Sequence, residues 1–391
     1  MGADAEFQWH PDARLLDGRG REQHPIRQAV PVIAEQPSAM ALAMALASTS
    51  QGFRIGPGSA PPAPASHPVF ETLTSGSTGT PRRIRRSQAS WIASFVVNAQ
   101  LFSVGTGVRI AVLGRLVQSL SLYGALEGMH LGAEVHLLDD LRPDRQRKAL
   151  EKRQISVLYA APAQLRMMTE TAGPVCQALR VILIGGSKLD PALRAAVQDM
   201  APSAVLHEFY GAAETSFITL ADATTPEGSV GRAYPGVEIE VRAGLIWVRS
   251  PYLFERYADD PGGAEWSDGW LSVGEIGRLE AGYLYLSGRA GRMVTVADQN
   301  VFPEQIEALM LTLPGVRQAA VLPVSDSLRG VVLLAVLQGD PLTEPAIMAA
   351  LRRELGPLKA PKALIWRQDW PTLPSGKTNL VALQRGLAWP I

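Results

Sequence analysis

The chain has 391 residues, of which 47% are hydrophobic and 19% charged, and both proportions are ordinary for a globular protein longer than one typical domain. Lys and Arg together number 37, as do Asp and Glu, so the balanced charge excludes a strongly basic nucleic-acid surface and a polybasic membrane patch. The single Cys176 excludes an internal disulfide and a zinc site built from cysteines. Because the N-terminal residues lack a signal-peptide pattern and no apolar run could span a bilayer, we expect a soluble, cytoplasmic protein.

The first two-thirds of the chain predict an α/β domain. A stretch rich in Pro, Ala, Gly and Ser, residues 56–68, predicts an exposed connector. Beyond it, short apolar runs alternate with helical patterns, which predicts a parallel sheet with helices on both faces. The predicted strands are 108–114, 133–138, 155–160, 181–186 and 204–211, and the predicted helices are 142–154, 162–172 and 191–200.

The pattern changes after residue 225. Residues 231–257 and 277–289 alternate in twos between turn signals, which predicts an antiparallel, β-rich part. A small α+β unit begins near Gly288. We therefore predict an α/β fold with a large N-terminal domain, residues 1–288, and a small mobile C-terminal domain, residues 289–391.

A hydroxyl-rich loop follows the short run VFETL. Its glycines allow a tight turn close to a ligand, and its hydroxyl and N–H groups can surround phosphate oxygens, with positive charge from Arg82. The Gly-Lys-Ser/Thr ending of a Walker A loop is absent. Taken alone, the segment is also typical of a plain turn. Its candidate phosphate-binding residues are Thr74, Ser75, Gly76, Ser77, Thr78, Gly79, Thr80 and Arg82.

The segment EFYGAAETS begins at Glu208, at the end of a predicted central strand. Ligands of open α/β sheets bind at the carboxyl ends of strands. Tyr210 is therefore placed to stack on a base, and Glu214 to hold Mg²⁺ beside a triphosphate. A core tyrosine and a surface glutamate are the alternative interpretation.

Two later segments carry further candidates. Glu275 lies on a glycine-flanked turn in SVGEIGR and could accept both hydroxyls of a ribose, with Arg289 in reach of ribose or phosphate. Lys377, in the loop LPSGKT, could bridge a carboxylate and a phosphate as negative charge develops between them. A hairpin with a satisfied acid and an exposed lysine without a role are the alternatives.

Together, in this order and spacing, the four segments resemble the ANL superfamily of adenylating enzymes: acyl- and aryl-CoA synthetases, peptide-synthetase adenylation domains and luciferases. TSGSTGTPR resembles the family's phosphate loop, FYGAAET its Tyr-Gly-x-Thr-Glu segment and SVGEIGRL its Thr-Gly-Asp-x-Gly segment. GRAGRMVTVADQNVFPEQIE resembles the hinge into the small domain, and LPSGKT the loop of the catalytic lysine. The resemblance covers about residues 68–380.

The resemblance implies a role for each candidate. Lys377 would drive adenylation, Glu214 would bind Mg²⁺, and Glu275 and Arg289 would hold ribose, while the small domain would rotate about the hinge after the first step. The residues that would hold adenine and floor the acid pocket are Gly185, Gly186, Ser187, Glu208, Phe209 and Tyr210. The acid pocket would also include Gln118, Tyr123 and Gly211.

The implied activity is that of an acid–thiol ligase. ATP and Mg²⁺ would activate a carboxylic acid, aryl or fatty, and the acyl group would pass to CoA or to the phosphopantetheine of a carrier protein. Residues 117–128 contain no Asp, which argues against an α-amino acid substrate. Two alternatives stay open: an enzyme that loads only a carrier protein, and a nucleotide-binding protein that has lost turnover.

Several positions depart from the family pattern. Arg82 replaces the phosphate-loop lysine, Ala213 replaces a hydroxyl residue, and Glu275 replaces the ribose aspartate. Gly291 stands at the hinge, where relatives have Asp or Lys. Asp298 stands where relatives have a glycine near the pantetheine tunnel, and we expect an anionic side chain there to disfavour CoA.

Overall fold

The structure is a computed structural model that describes residues 4–48, 50–74, 82–258, 264–296, 299–326, 330–373 and 376–387. The strands of the large domain are β1 (Arg14–Leu16), β2 (Glu22–Gln23), β3 (Val32–Ile33), β4 (Gly52–Ile55), β5 (Val69–Leu73), β6 (Arg83–Ser87), β7 (Arg109–Val112), β8 (Glu134–Leu137), β9 (Val157–Ala160), β10 (Val181–Ile184), β11 (Val205–Ala212), β12 (Ser216–Ala221), β13 (Ser229–Ala233), β14 (Glu238–Arg242), β15 (Leu245–Arg249), β16 (Arg256–Tyr257), β17 (Glu265–Ser267), β18 (Trp270–Ser272), β19 (Glu275–Glu280) and β20 (Tyr283–Arg289). Its helices are α1 (Ser38–Leu46), α2 (Gln88–Phe102), α3 (Ser119–Leu131), α4 (Pro143–Lys152), α5 (Pro162–Thr169) and α6 (Pro191–Met200).

The C-terminal part follows a short 3-10 helix, Ala290–Arg292. Its elements are β21 (Val294–Val296), β22 (Gln299–Val301), α7 (Pro303–Leu311), β23 (Val316–Asp326), β24 (Gly330–Gly339), α8 (Glu344–Lys359), β25 (Ala363–Trp366) and α9 (Leu380–Arg385). Strands β23, β24 and β25 form a sheet, and α7 and α8 pack on it through a core that includes Ile306, Met310, Ile347 and Leu351. The predicted small α+β unit is therefore present.

The central sheet has a parallel half and an antiparallel half. Strands β1, β8, β7, β9, β10 and β11 pair in parallel, in that order. From β11 onward the pairs β11–β12, β12–β13, β13–β20 and β20–β19 are antiparallel. The predicted parallel sheet and the predicted β-rich part are thus one continuous sheet, which changes direction at β11.

Local sequence explains the parallel half. The strands β9 and β10 are runs of apolar residues that are buried almost throughout, as a sheet covered on both faces requires. Helix α6 begins after Asp190, whose carboxylate accepts the backbone N–H of Leu193, and has Pro191 at its first position. The three helices predicted here are present as α4, α5 and α6.

A second sheet holds the base of the hydroxyl-rich loop. Its strand order is β16–β6–β5–β4–β3, and the loop connects the antiparallel strands β5 and β6. At the base, the Thr74 N–H donates to the Arg82 carbonyl at 2.8 Å and the Arg82 N–H donates to the Thr74 hydroxyl at 2.9 Å. Residues 75–81 lie outside the described residues, so the predicted phosphate contacts of this loop stay predictions.

Two buried arginines fix the predicted connector, residues 56–68. Arg54 donates to the carbonyls of Gly58 and Ala60, and Arg85 donates to those of Ala63 and Pro64. Arg54 also pairs with Glu71 at 2.9 Å, and both side chains are less than 5% exposed. The connector is mostly exposed, as its composition predicts, but charge-assisted hydrogen bonds hold its backbone against the second sheet.

No helix in the described ranges is long and apolar enough to cross a membrane.

The Arg54–Glu71 pair provides a test of this account. The Arg54→Met substitution should lower the free energy of unfolding by about 3 kcal/mol, because it leaves the buried Glu71 carboxylate without its close partner. Urea unfolding followed by tryptophan fluorescence measures the change. The control is Arg249→Met, which removes an ion pair with Glu238 on the surface and should unfold like the wild type. Equal urea midpoints for the two variants would contradict a structural role for the buried pair.

Candidate active site

A cavity of about 400 Å³ opens at the edge of the sheet where the parallel strands β9, β10 and β11 end. This is the edge at which α/β proteins bind ligands. Residues of both domains line it, including Thr74, Arg82, Gln118, Tyr123, Gly185, Gly186, Phe209, Gly211, Glu214, Arg289 and Lys377. Eleven of the predicted site residues therefore share one cavity, although they lie up to 303 positions apart in the sequence.

One side of the cavity presents cations and one carboxylate. The Arg82 guanidinium lies 3.3 Å from the centre of the Tyr257 ring, and the Tyr257 hydroxyl donates to the Glu214 carboxylate at 2.8 Å. Burial, and then the negative charge of Glu214, raise the pKa of Tyr257. Tyr257 thus connects the last residue of the hydroxyl-rich loop to the acid predicted to bind metal.

Glu214 is the candidate metal ligand. It lies in the turn between β11 and β12 and faces the cavity. Among the described residues, no group of three or more His, Cys, Asp or Glu side chains could hold a metal ion. A single carboxylate beside Thr74 and Arg82, the predicted phosphate wall, fits Mg²⁺, which takes one or two protein carboxylates and completes its shell with waters and substrate phosphates.

Glu275 and Arg289 face each other across β19 and β20. Their side chains approach to 3.7 Å, and the Tyr210 hydroxyl donates to the other oxygen of Glu275. Glu275 is 9% exposed, and its burial raises its pKa, while the charges of Arg289 and Lys377 oppose that shift. The structure brings the two predicted ribose ligands together, and it places Tyr210 on the carboxylate of that pair.

Lys377 reaches the cavity from the C-terminal domain. Its loop closes on itself, since the Leu373 N–H donates to the Lys377 carbonyl at 2.7 Å. Gly376 has φ +79°, and a side chain there would come within 2.8 Å of Ala163 in α5, so only glycine suits this contact between the domains. Burial, and then the charge of Arg289, lower the pKa of Lys377, while Glu275 and Glu214 raise it.

Four aromatic residues, Trp91, Tyr123, Phe209 and Phe217, form an aromatic wall of the cavity. The ring centres of Tyr123 and Phe217 are 5.1 Å apart, those of Tyr123 and Trp91 are 5.1 Å apart, and those of Phe209 and Phe217 are 4.6 Å apart. A side chain at Gly185 would come within 2.2 Å of the Phe209 ring. This glycine therefore lets the backbone lie against the aromatic wall.

Four of the predicted residues that the structure describes do not line the cavity: Tyr210 and Glu275, which contact each other and lie beside the lining residue Arg289, and Glu208 and Ser187. The Glu208 carboxylate accepts the Leu189 N–H at 2.8 Å and pairs with Arg194, so it is held by the segment that leads into α6. Ser187 is exposed. Asp298 lies outside the described residues, and the expectation about the pantetheine tunnel stays a prediction.

The sequence analysis missed several residues at or near the cavity, among them Trp91, Phe217 and Tyr257, which line it, and Arg86, which lies behind it. The aromatic residues occur at positions that look like ordinary core. The signal that could have been used for Arg86 is the run of charged residues RRIRR directly after the hydroxyl-rich loop, which forms a mostly buried strand only where acceptors surround the arginines.

Known proteins are similar to this chain over most of its length. The family of AMP-binding enzymes matches residues 11–258, and the C-terminal domain of AMP-binding enzymes matches residues 305–377. An uncharacterised acyl–CoA ligase of Bacillus subtilis, YhfT, is 32% identical over 83% of this chain and 69% of its own length. A putative long chain fatty acid–CoA ligase of Staphylococcus haemolyticus, VraA, is 28% identical over 78% of this chain and 67% of its own. The amide bond synthetase McbA of Marinactinospora thermotolerans has a similar fold, with a TM-score of 0.72 and 26% identity over 90% of this chain and 79% of its own.

Tyr257 gives the testable prediction of this site. The Tyr257→Phe substitution removes one hydrogen bond to a charged carboxylate, and adenylate formation should fall about tenfold, with a higher Mg²⁺ requirement. The measurement is the rate of pyrophosphate release over a Mg²⁺ titration. Tyr252→Phe is the matched control, because the Tyr252 hydroxyl donates at 2.7 Å to the Pro235 carbonyl, away from the carboxylate. An unchanged Mg²⁺ dependence in Tyr257→Phe would remove Tyr257 from the metal site.

Proposed function

The chain belongs to the family of AMP-binding enzymes, and from this membership we infer that it is an ATP-dependent ligase, which activates a carboxylic acid as an acyl-adenylate and passes the acyl group to a thiol. In the first step, a carboxylate oxygen forms a bond to the α-phosphorus of ATP, and the bond to the departing pyrophosphate breaks. In the second step, a thiol sulfur attacks the acyl carbon and AMP leaves with the bonding electron pair and the former carboxylate oxygen.

One observation supports the assignment of the first step to this cavity above all others. Lys377, contributed by the C-terminal domain, lines the same cavity as Thr74, Glu214 and Tyr123, contributed by the large domain. A cation between the acid pocket and the phosphate wall stabilises the negative charge that develops as carboxylate and α-phosphate approach. We therefore assign Lys377 to the transition state of adenylate formation.

The other polar residues have roles in binding. Thr74 and Arg82 hold phosphate oxygens, and Glu275 with Arg289 holds the ribose. For this, the Tyr210 hydroxyl must release the Glu275 oxygen to which it donates, or share that oxygen with the ribose. Glu214 would hold Mg²⁺, which neutralises charge on the triphosphate when it is bound. Phe209 and Gly186 lie where adenine would pass along the carboxyl end of β10.

The aromatic wall favours an aryl acid over a long-chain fatty acid. The rings of Tyr123 and Phe217 meet edge to face at 79°. The ring of an aryl acid can pack against them in the same geometry. A cavity of about 400 Å³ that must also admit the α-phosphate suits one ring system better than an extended chain. The predicted fatty acid remains the alternative substrate class.

We propose CoA as the acceptor, because the similar YhfT and VraA proteins bear the names of acyl–CoA ligases; the expectation that Asp298 disfavours CoA argues for the other acceptor. A carrier-protein phosphopantetheine is the alternative acceptor. The third hypothesis, a nucleotide-binding protein without turnover, has less support, because Glu214 and Lys377 face one cavity rather than lying apart.

The test is pyrophosphate release from ATP and Mg²⁺ across benzoate, phenylacetate, octanoate and palmitate, with hydroxylamine present to capture the adenylate. We expect an aromatic acid to be preferred about tenfold or more, a difference equivalent to one favourable aromatic contact. Parallel reactions with CoA, a phosphopantetheinylated carrier protein and a simple amine identify the acceptor. The Lys377→Ala variant should bind ATP like the wild type and lose the acid-dependent rate.

A preference for palmitate would replace the aryl proposal by a fatty acid. Acid-independent pyrophosphate release, or a Lys377→Ala variant as fast as the wild type, would contradict the proposed reaction site.

A further inference from the structure

Arg86 is fully buried in β6, four residues after the phosphate-side cation Arg82. A guanidinium is removed from water only where the fold supplies acceptors for it. Successive side chains of a strand point to opposite faces, so Arg86 faces the turn that carries Glu214, while its neighbour Arg85 faces the connector.

The acceptors of Arg86 converge from two segments. Its Nη1 donates to the Ala213 carbonyl at 2.6 Å and to the Glu214 carbonyl at 3.3 Å. Its Nη2 donates to the Ser216 hydroxyl at 2.7 Å and to the Tyr252 carbonyl. Two of these four acceptors belong to the turn between β11 and β12 and a third is the first residue of β12, so one rigid guanidinium holds the turn from behind.

This turn needs such support. Ala212 pairs with Ser216, which leaves residues 213–215 as a three-residue loop between the strands. Ser216 has φ +57°, in the left-handed region that residues other than glycine rarely adopt. Its hydroxyl accepts both from Arg86 and from the Trp91 indole at 3.0 Å. The strained residue is therefore held by its side chain rather than by its backbone preference.

Arg86 makes no ion pair within 4 Å in the described part of the chain, and its Nε has no hydrogen-bond partner there. Burial lowers its pKa to about 9, and the charges of Glu214 and Glu255 act in the opposite direction. The group keeps its proton at neutral pH. Within the described ranges, Arg86 donates to backbone carbonyl groups and not to a carboxylate, and two of these carbonyls belong to the turn that carries Glu214. Support of that turn therefore explains why the fold buries this cation.

We propose that Arg86 is a positioning residue of the reaction, which fixes the turn that presents Glu214 and thereby sets the affinity for the magnesium complex of ATP. The proposal rests on the proposed role of Glu214. Arg86 acts through the carbonyl groups of Ala213 and Glu214 and through the Ser216 hydroxyl, while Tyr257 contacts the Glu214 carboxylate itself. These two restraints, one on the carbonyl and one on the side chain, hold Glu214 toward the predicted phosphate wall.

Arg85 provides a matched control in the same strand. It is 3% exposed, against 0% for Arg86, and it also donates to carbonyl groups. Its acceptors, however, are Ala63 and Pro64 of the connector, and its ion pair is with Glu255 at 3.0 Å. Substitution of either arginine removes a buried cation from β6, but only Arg86 contacts the turn that carries Glu214.

The experiment compares Arg86→Met, Arg86→Lys and Arg85→Met with the wild-type protein. Isothermal titration calorimetry measures ATP binding with and without Mg²⁺, and pyrophosphate release measures kcat and the KM for an accepted acid. For Arg86→Met we expect an affinity for ATP with Mg²⁺ that is lower by about tenfold to a hundredfold, the loss of hydrogen bonds from a charged donor. Binding of ATP without Mg²⁺ should stay within about twofold of the wild type, and the change in kcat should exceed the change in the KM for the acid.

The conservative variant Arg86→Lys keeps the positive charge but lacks the planar guanidinium that donates to several acceptors at once. We therefore expect its Mg²⁺-dependent loss of ATP affinity to be smaller than that of Arg86→Met. In Arg85→Met, Mg²⁺ should change the affinity for ATP by the same factor as in the wild type, even if this variant unfolds at lower urea concentrations.

The proposal is overturned if Arg86→Met and Arg85→Met lose the same affinity in both titrations, because Arg86 would then serve only stability. If Arg86→Met does not fold, a wild-type Mg²⁺ response in folded Arg86→Lys overturns it instead. A wild-type protein that binds ATP with Mg²⁺ but releases no pyrophosphate with any acid would contradict the proposed function, and the calorimetric comparison would still decide the role of Arg86.

Discussion

The change from parallel to antiparallel pairing at β11 determines where the chemistry can occur. Parallel strands place their carboxyl ends at one edge, so the glycines after β10 and the end of β9 meet there. The hairpin from β11 to β12 turns at the same edge and adds Glu214 to it. Without this reversal the turn would not face the base of the hydroxyl-rich loop, and the Glu214 carboxylate would not lie beside the predicted phosphate wall.

The cavity is organised by charges that balance one another in a partly dry space. Arg289 lowers the pKa of Lys377, whereas Glu275 and Glu214 raise it, and burial has the largest effect. A bound triphosphate adds several negative charges beside these cations and so stabilises their protonated forms. The proposed orientation of the acid follows from this arrangement, with its ring among the aromatic residues and its carboxylate toward Lys377.

The contact between the domains completes the site. The tight loop of Lys377 meets α5 at Ala163, where Gly376 leaves room for the approach. At the start of the C-terminal domain, Arg292 pairs with Glu304 at 3.2 Å and with Glu307 at 2.8 Å. These ion pairs fasten the segment after β20 to α7, at the start of the domain that contributes Lys377.

Much of this arrangement could be predicted from the sequence. The alternation of short apolar runs and helices specified the parallel half, and the short segments around Glu214, Glu275 and Lys377 specified polar groups that the structure brings to one cavity or its edge. The role of Tyr257 and the partners of Arg86 could not be found in this way, because the contacting residues lie between 43 and 166 positions away in the sequence. The run RRIRR indicates buried arginines but not what they bind. Glu208 shows the converse limit: a polar residue inside a recognisable segment can be engaged by a neighbouring helix, here through Arg194. The sequence analysis did not predict that the parallel and antiparallel strands form one continuous sheet. Antiparallel strands show the same alternation of apolar and polar residues whether they extend an existing sheet or form a separate one.

The most direct test of the central claim follows one oxygen atom. The protein is incubated with ATP, Mg²⁺, CoA and an accepted acid whose carboxylate is labelled with heavy oxygen, and the products are analysed by mass spectrometry. The account predicts that AMP gains one labelled oxygen, because a carboxylate oxygen stays on the α-phosphorus when the thiol takes the acyl group. Label in inorganic phosphate or pyrophosphate, or unlabelled AMP with thioester formed, would contradict an acyl-adenylate intermediate.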